Sequence, residues 1–159
     1  MELYCHRGWM LTFCTRISQI SRIFRLDGCE SFSWLMLLYG DLTYKIRGAI
    51  FEVYNYWGPG LFEQVYEESL VHQLRKVGLK VEQQVPLPVI YDGVKLPCDY
   101  RLDLLVEDKV IIELKSVEEL HPVHYKQLMT YLKIAHKKVG LLVNFNVDDM
   151  AKGIHRLVL

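Results

Sequence analysis

Arg101-Leu102-Asp103-Leu104-Leu105-Val106-Glu107-Asp108-Lys109-Val110-Ile111-Ile112-Glu113-Leu114-Lys115 sets two apolar runs on either side of a charged triplet. The runs are rich in strand formers, and Glu107, Asp108 and Lys109 supply the turn between them. Side chains alternate along a strand, so Ile111, Glu113 and Lys115 share one face while Val110, Ile112 and Leu114 share the other. A turn of odd length over 107–109 sets Val106 against Val110 and Asp103 against Glu113. Like charges directly opposed destabilise a hairpin, and a lone carboxylate withdrawn from water is costly.

Two arrangements offset that cost. In one, Lys115 neutralises Asp103 or Glu113 in a structural ion pair. In the other, a divalent cation lies between the carboxylates; oxygen-ligated Mg²⁺ held by one or two carboxylates, water and substrate phosphate fits the donor set. Lys115, one pleat away, then orients or activates the attacking water and stabilises charge on the phosphoryl group. Asp, Glu and Lys together point to a metal-dependent hydrolytic site.

Upstream, the patterning predicts a helix over 42–56 that stops before Gly58-Pro59-Gly60, a strong breaker. A second helix over 61–77 carries Phe62, Val65, Tyr66, Leu70, Leu74 and Val77 at three- and four-residue steps, with Gly78 as its stop. Residues 81–91 read as an edge strand, because Pro86 and Pro88 cannot donate to a ladder, and Asp92-Gly93 is a hairpin turn back into 94–106. Downstream of Lys115, a helix over 122–136 and a fully buried strand over 139–145 make a parallel crossover. The helix carrying Gln127 therefore packs on the sheet that carries Glu113. A short helical turn and a last strand over 155–159 complete an α/β chain with a mixed sheet.

At 51% hydrophobic and 24% charged, with no low-complexity tract, the 159-residue chain is globular. A formal net charge of zero means that no bulk field draws it to nucleic acid or an anionic membrane, so such binding needs a local patch. Cys5, Cys14, Cys29 and Cys98 form no C-x-x-C pair and read as reduced thiols of a cytoplasmic protein. Residues 1–40 read as a weakly ordered N-terminal extension, or as translated upstream sequence with the working start nearer Met36, ahead of a domain over 41–159. Their apolar clusters fall short of the about 20 residues a membrane span needs, and Asp27 and Glu30 interrupt the pattern of a transit peptide.

Other polar positions carry weaker signals. Glu63 lies one turn before Tyr66, where it either reaches a cleft or complements the helix dipole. Gln127 shares a helix side with Val123 and Tyr131 and either binds a ligand or caps a sheet edge. His121 and His124, beside Glu118 and Glu119, have a transition-metal spacing that is also ordinary for a polar helix start. Lys126, Lys133, Lys137 and Lys138 make either a phosphate track or a solvated face.

Gly60-x-x-Glu63-x-x-Tyr66 is the pattern of the GxxExxY proteins, a branch that resembles the PD-(D/E)XK nuclease superfamily. The resemblance runs from about Asp41 to Leu159 and takes in Gly58-Pro59-Gly60, Val85-Pro86-Leu87-Pro88, Tyr100-Arg101-x-Asp103, Glu113-Leu114-Lys115, Gln127-x-x-x-Tyr131 and Gly140-Leu141-Leu142-Val143-Asn144-Phe145. It implies a restriction-endonuclease-like core, with Asp103 and Glu113 as metal ligands, Lys115 as the water-activating or charge-stabilising group and Glu63 as a further acidic ligand. Gln127 would line the site, with Tyr131 and Tyr66 in support. There are departures from the superfamily pattern. Leu102 stands where a proline precedes the aspartate, Asp99 after Pro97 competes weakly for the metal role, and Tyr54 stands where relatives often carry histidine.

The implied activity is nuclease hydrolysis of DNA or RNA with Mg²⁺ or Mn²⁺, with nucleic acid and a protein partner as candidate partners, no membrane association and the oligomeric state open. A nucleic-acid- or protein-binding module that keeps the fold without turnover is the alternative. A metal held only to stabilise the fold is a third reading.

Overall fold

The computed structural model describes residues 38–159, so nearly all of the expected N-terminal extension lies outside the described residues. The first helix starts slightly earlier than its patterning implies. Leu38 and Tyr39 pack on the core, and the Thr43 hydroxyl donates to the Tyr39 and Gly40 carbonyls, so helix α1 covers Gly40–Trp57 rather than 42–56. Its buried residues, Thr43, Ile46, Ala49, Ile50 and Val53, follow the helical repeat.

Helix α2, Glu63–Lys76, buries Tyr66, Leu70, Val71 and Leu74. The expected stripe is corrected at three places: Phe62 is 86% exposed, Val65 lies at the margin, and Val77 is exposed. Phe62 is the N-cap and Val77 the C-cap, so neither has the helical direction that the repeat assumes. Gly78 ends the helix as expected, its N–H bonded to the Arg75 carbonyl while Leu79 N–H reaches Leu74.

Five strands follow: β1 Val81–Tyr91, β2 Val94–Val106, β3 Val110–Lys115, β4 Val139–Asn144 and β5 Ile154–Val158, side by side in chain order. Only β3 and β4 are parallel. The link between them carries helix α3, Pro122–Ile134, and the short helix α4, Met150–Gly153, precedes β5. The proline-bearing β1 is an edge strand, and Asp92 and Gly93 turn the hairpin with φ of 50° and 76°, as a type I′ turn requires.

Helices cover both faces of the sheet. Leu104, Val106, Val110, Ile112, Leu114, Val139, Leu141 and Val143 pack with α1 and α2, whereas Leu105, Ile111 and Leu142 pack with Leu128, Tyr131 and Leu132 of α3. Gly140 allows α3 its close approach, since a Cβ there would stand 2.9 Å from Leu128 Cδ1. A mixed sheet between helices is the restriction-endonuclease-like arrangement expected from the sequence.

One strand departs from regularity where it matters. Pairing of Leu104 with Ile112, Leu105 with Ile111 and Val106 with Val110 gives the expected register, which carried one step further sets Asp103 opposite Glu113. The ladder stops short of that pair, and Asp103 Oδ2 instead accepts the Leu114 N–H at 2.8 Å. On the other side of β2, Gln83 pairs with Leu104 and Val85 with Leu102, and no ladder pair among the described residues joins Gln84 to Asp103. Leu102 and Leu104 belong to cores on opposite faces, although strict alternation would put them on one. β2 is therefore twisted at Asp103.

Candidate active site

The site forms where β3 and β4 end, beside the start of α2. Glu113 is 1% exposed, and its Oε1 accepts from Lys115 Nζ at 2.6 Å. Its other oxygen, Oε2, is buried without a hydrogen-bond partner among the described residues. A buried carboxylate oxygen left unsatisfied is a site for a proton or a cation. Asp103, bound through Oδ2 to Leu114, lines a cleft of about 510 Å³ with Glu63, Gln64, Glu67, Glu68, Gln83, Gln84 and Leu114.

The Gly60-x-x-Glu63-x-x-Tyr66 motif has a mechanical explanation. Gly60 sits at φ 101°, where a side chain would be strained, and so lets the chain turn into α2. Tyr66 is fully buried and stacked on Phe145 at 4.3 Å; its hydroxyl donates to the Gly58 carbonyl at 2.6 Å and accepts the Leu61 N–H at 3.1 Å. Ser116 Oγ donates to the Leu61 carbonyl at 2.6 Å, and Ser116 N–H donates to Glu63 Oε1 at 3.1 Å. The motif thus bolts the start of α2 to the end of β3, with Glu63 in the cleft that Asp103 lines. Tyr66→Phe removes both loop bonds while leaving a ring to stack. It should cost about 1–3 kcal/mol in urea denaturation, and an unchanged midpoint would count against this role.

Electrostatics join the four charged residues into one unit. Burial, and next the repulsion from Asp103, push Glu113 up to about 7 against the bond from Lys115; Glu63 adds a smaller repulsion. Asp103 is raised as well, by burial first, against the Leu114 N–H and Lys115. Burial draws the Lys115 ammonium down, but the hydrogen bond and charge of Glu113, with Asp103 and Glu63 behind it, outweigh this and raise it overall. Lys115 therefore stays a cation at neutral pH.

Gln127 and Tyr131 stand at the margin. Gln127 Nε2 donates to the Tyr131 hydroxyl at 2.8 Å, and burial raises the Tyr131 phenol, with Glu113 and Asp103 raising it further. Gln127 is thus engaged with Tyr131, and no bond joins it to either carboxylate. Among the described residues, no group of three His, Cys, Asp or Glu side chains is gathered to hold a metal. His124 Nδ1 accepts the His121 N–H at 3.2 Å, so this pair serves as a helix cap. Asp99 lies within 3.7 Å of Lys95 in an exposed ion pair, Tyr54 donates to the Val147 carbonyl, and Lys137 is paired with Asp108 at 2.7 Å.

Three residues at the site escaped the sequence reading. Glu67 follows Glu63 by one helical turn, a spacing that was open to notice, and lines the same cleft. Burial raises its carboxyl, which a bond from Gln84 opposes and Asp103 reinforces. Ser116 and Gln84 gave no signal, because their roles depend on contacts that are distant in the chain.

A family model for the PD-(D/E)XK nuclease superfamily matches residues 40–157. No curated protein and no solved structure shows a significant match. Among the described residues, no helix is long and apolar enough to cross a membrane.

Proposed function

We propose, since this chain belongs to the PD-(D/E)XK nuclease superfamily, that it is a divalent-metal-dependent nuclease hydrolysing phosphodiester bonds of DNA or RNA. Within the superfamily we place it among the GxxExxY proteins, on Gly60, Glu63 and Tyr66. The observation that carries the reading is Glu113, a buried carboxylate with one oxygen on Lys115 and the other orphaned, its ionised form disfavoured by burial and by the charge of Asp103. The donors are hard oxygens, which suits Mg²⁺ or Mn²⁺.

Asp103 and Glu113 would hold the metal, with Glu63 at the edge of the site and water and phosphate oxygens completing the shell. When bound, the metal supplies Lewis-acid activation of water and of the phosphoryl group. Lys115 holds positive charge beside Glu113, where it orients the attacking water and balances charge that develops on phosphorus oxygens. Glu63 is fixed by Ser116, and the Gln127–Tyr131 pair bounds the side toward α3. Four cysteines without a C-x-x-C pair support work in the cytoplasm, alone or with a protein partner.

The test is a cleavage panel of single- and double-stranded DNA and RNA with Mg²⁺ or Mn²⁺. Cleavage is expected to vanish in excess chelator and return on adding metal back. Cleavage by contaminant-free protein that persists in chelator and in Glu113→Ala would overturn the assignment.

A further inference from the structure

We propose that Gln84, tethered to Glu67, is a positioning residue that twists the sheet so that Asp103 can bind the metal; the inference rests on the nuclease reading above. Gln84 lies in the middle of β1 yet has φ of 50°, a left-handed conformation that a residue with a side chain rarely adopts in a strand. No register shift accompanies it, since Gln83 with Leu104 and Val85 with Leu102 keep the same alignment. The residue is flipped in place, directly across from Asp103.

A tether explains how the flip persists. Gln84 Nε2 lies 2.9 Å from both Glu67 oxygens, and the neighbouring Gln83 Nε2 reaches Glu68 at 3.2 Å, so two consecutive strand residues are held by α2. Unusual backbone of this kind persists only where surrounding contacts fix it, and it gathers at functional sites. Across the ladder, Asp103 is released from pairing and places its carboxylate on the Leu114 N–H, in the cleft shared with Glu63. Gln84 and Glu67 thus act on the metal site through Asp103.

Gln84→Val favours ordinary extended backbone and removes the tether; Gln84→Gly keeps the left-handed option but removes the amide. Three properties are to be read: Mn²⁺ affinity by titration calorimetry, metal-free melting temperature, and exchange of the Leu114 amide. Gln84→Val should weaken Mn²⁺ binding about tenfold or more and speed Leu114 exchange. Its melting temperature should stay level or rise, because the strained conformation is relieved. Gln84→Gly should fall between it and the wild type. A residue with a merely structural role would lower the melting temperature and leave Mn²⁺ affinity alone.

Glu67→Ala removes the tether from the other side and should act in the same direction, should Gln84→Val fail to fold. Wild-type Mn²⁺ affinity and Leu114 exchange in all three variants would overturn the positioning role. Failure of the wild type itself to bind Mn²⁺ would instead overturn the nuclease reading, and with it the metal-binding half of this proposal.

Discussion

Lys115→Met should lower metal-dependent phosphodiester cleavage about 10²- to 10³-fold, the range for removing a preorganised charge from a reacting centre, while the domain stays folded. The side chain is mostly buried, and its ammonium lies 2.6 Å from Glu113 Oε1, the one ion pair of Glu113 among the described residues. Removing one partner of a buried ion pair ordinarily leaves an exposed cost. Here the cost is limited, because Glu113 already sits near 7 and takes up a proton once Lys115 is gone. A loss of about 1–3 kcal/mol is expected in urea denaturation. The double variant Glu113→Gln with Lys115→Met should recover part of that stability, since neither charge remains, yet stay inactive. Near wild-type turnover by folded Lys115→Met would remove the lysine from the mechanism.

Metal-free protein should lose stability as pH rises from about 4.5 to about 7, opposite to the usual behaviour of a paired carboxylate. Burial and Asp103 make native Glu113 hold its proton up to about 7, against 4.5 as its ordinary value. Between those values the native state binds more proton than the unfolded chain, so each step up in pH favours unfolding. The gap amounts to about 3 kcal/mol by linkage; it is fully present as stabilisation below 4.5 and gone above about 7. Asp103, also raised by burial, adds in the same direction. Glu113→Gln should flatten the profile, and the difference between the two profiles isolates this group from the other carboxylates. Mn²⁺ should restore stability most strongly above pH 7, because it binds the ionised form. A wild-type profile that rises over this window in parallel with that of Glu113→Gln would show that Glu113 is not so perturbed.

Both expectations depend on a hairpin register that could be read from parity. Glu107 and Asp108 adopt φ of 53°, Lys109 closes the turn on Val106, and Val106 pairs with Val110, as an odd loop between two apolar runs requires. Where the reading failed, the cause was local geometry meeting a distant contact. Phe62 matches the helical repeat but precedes the helix, because the Gly58-Pro59-Gly60 turn, closed by Tyr66, delays its start. Gln127, expected to have Tyr131 in support one turn later, donates to that tyrosine's hydroxyl at 2.8 Å.

The sequence by itself determined the order of strands and helices, the turns, and the placing of Asp103, Glu113 and Lys115 on adjacent strands. These follow from side-chain periodicity and from the conformations that Gly, Pro and Asp-Gly favour, all of them properties of short stretches. Only the tertiary structure decided that Glu113 is buried with an orphaned oxygen, that Tyr66 and Ser116 bolt Glu63 into reach, and that Gln84 and Glu67 twist β2 at Asp103. Most of those contacts join residues far apart in the chain: Glu67 and Gln84 lie 17 positions apart, and Leu61 and Ser116 lie 55 apart. Desolvation and strain are set by what packs around a group, which no local pattern encodes.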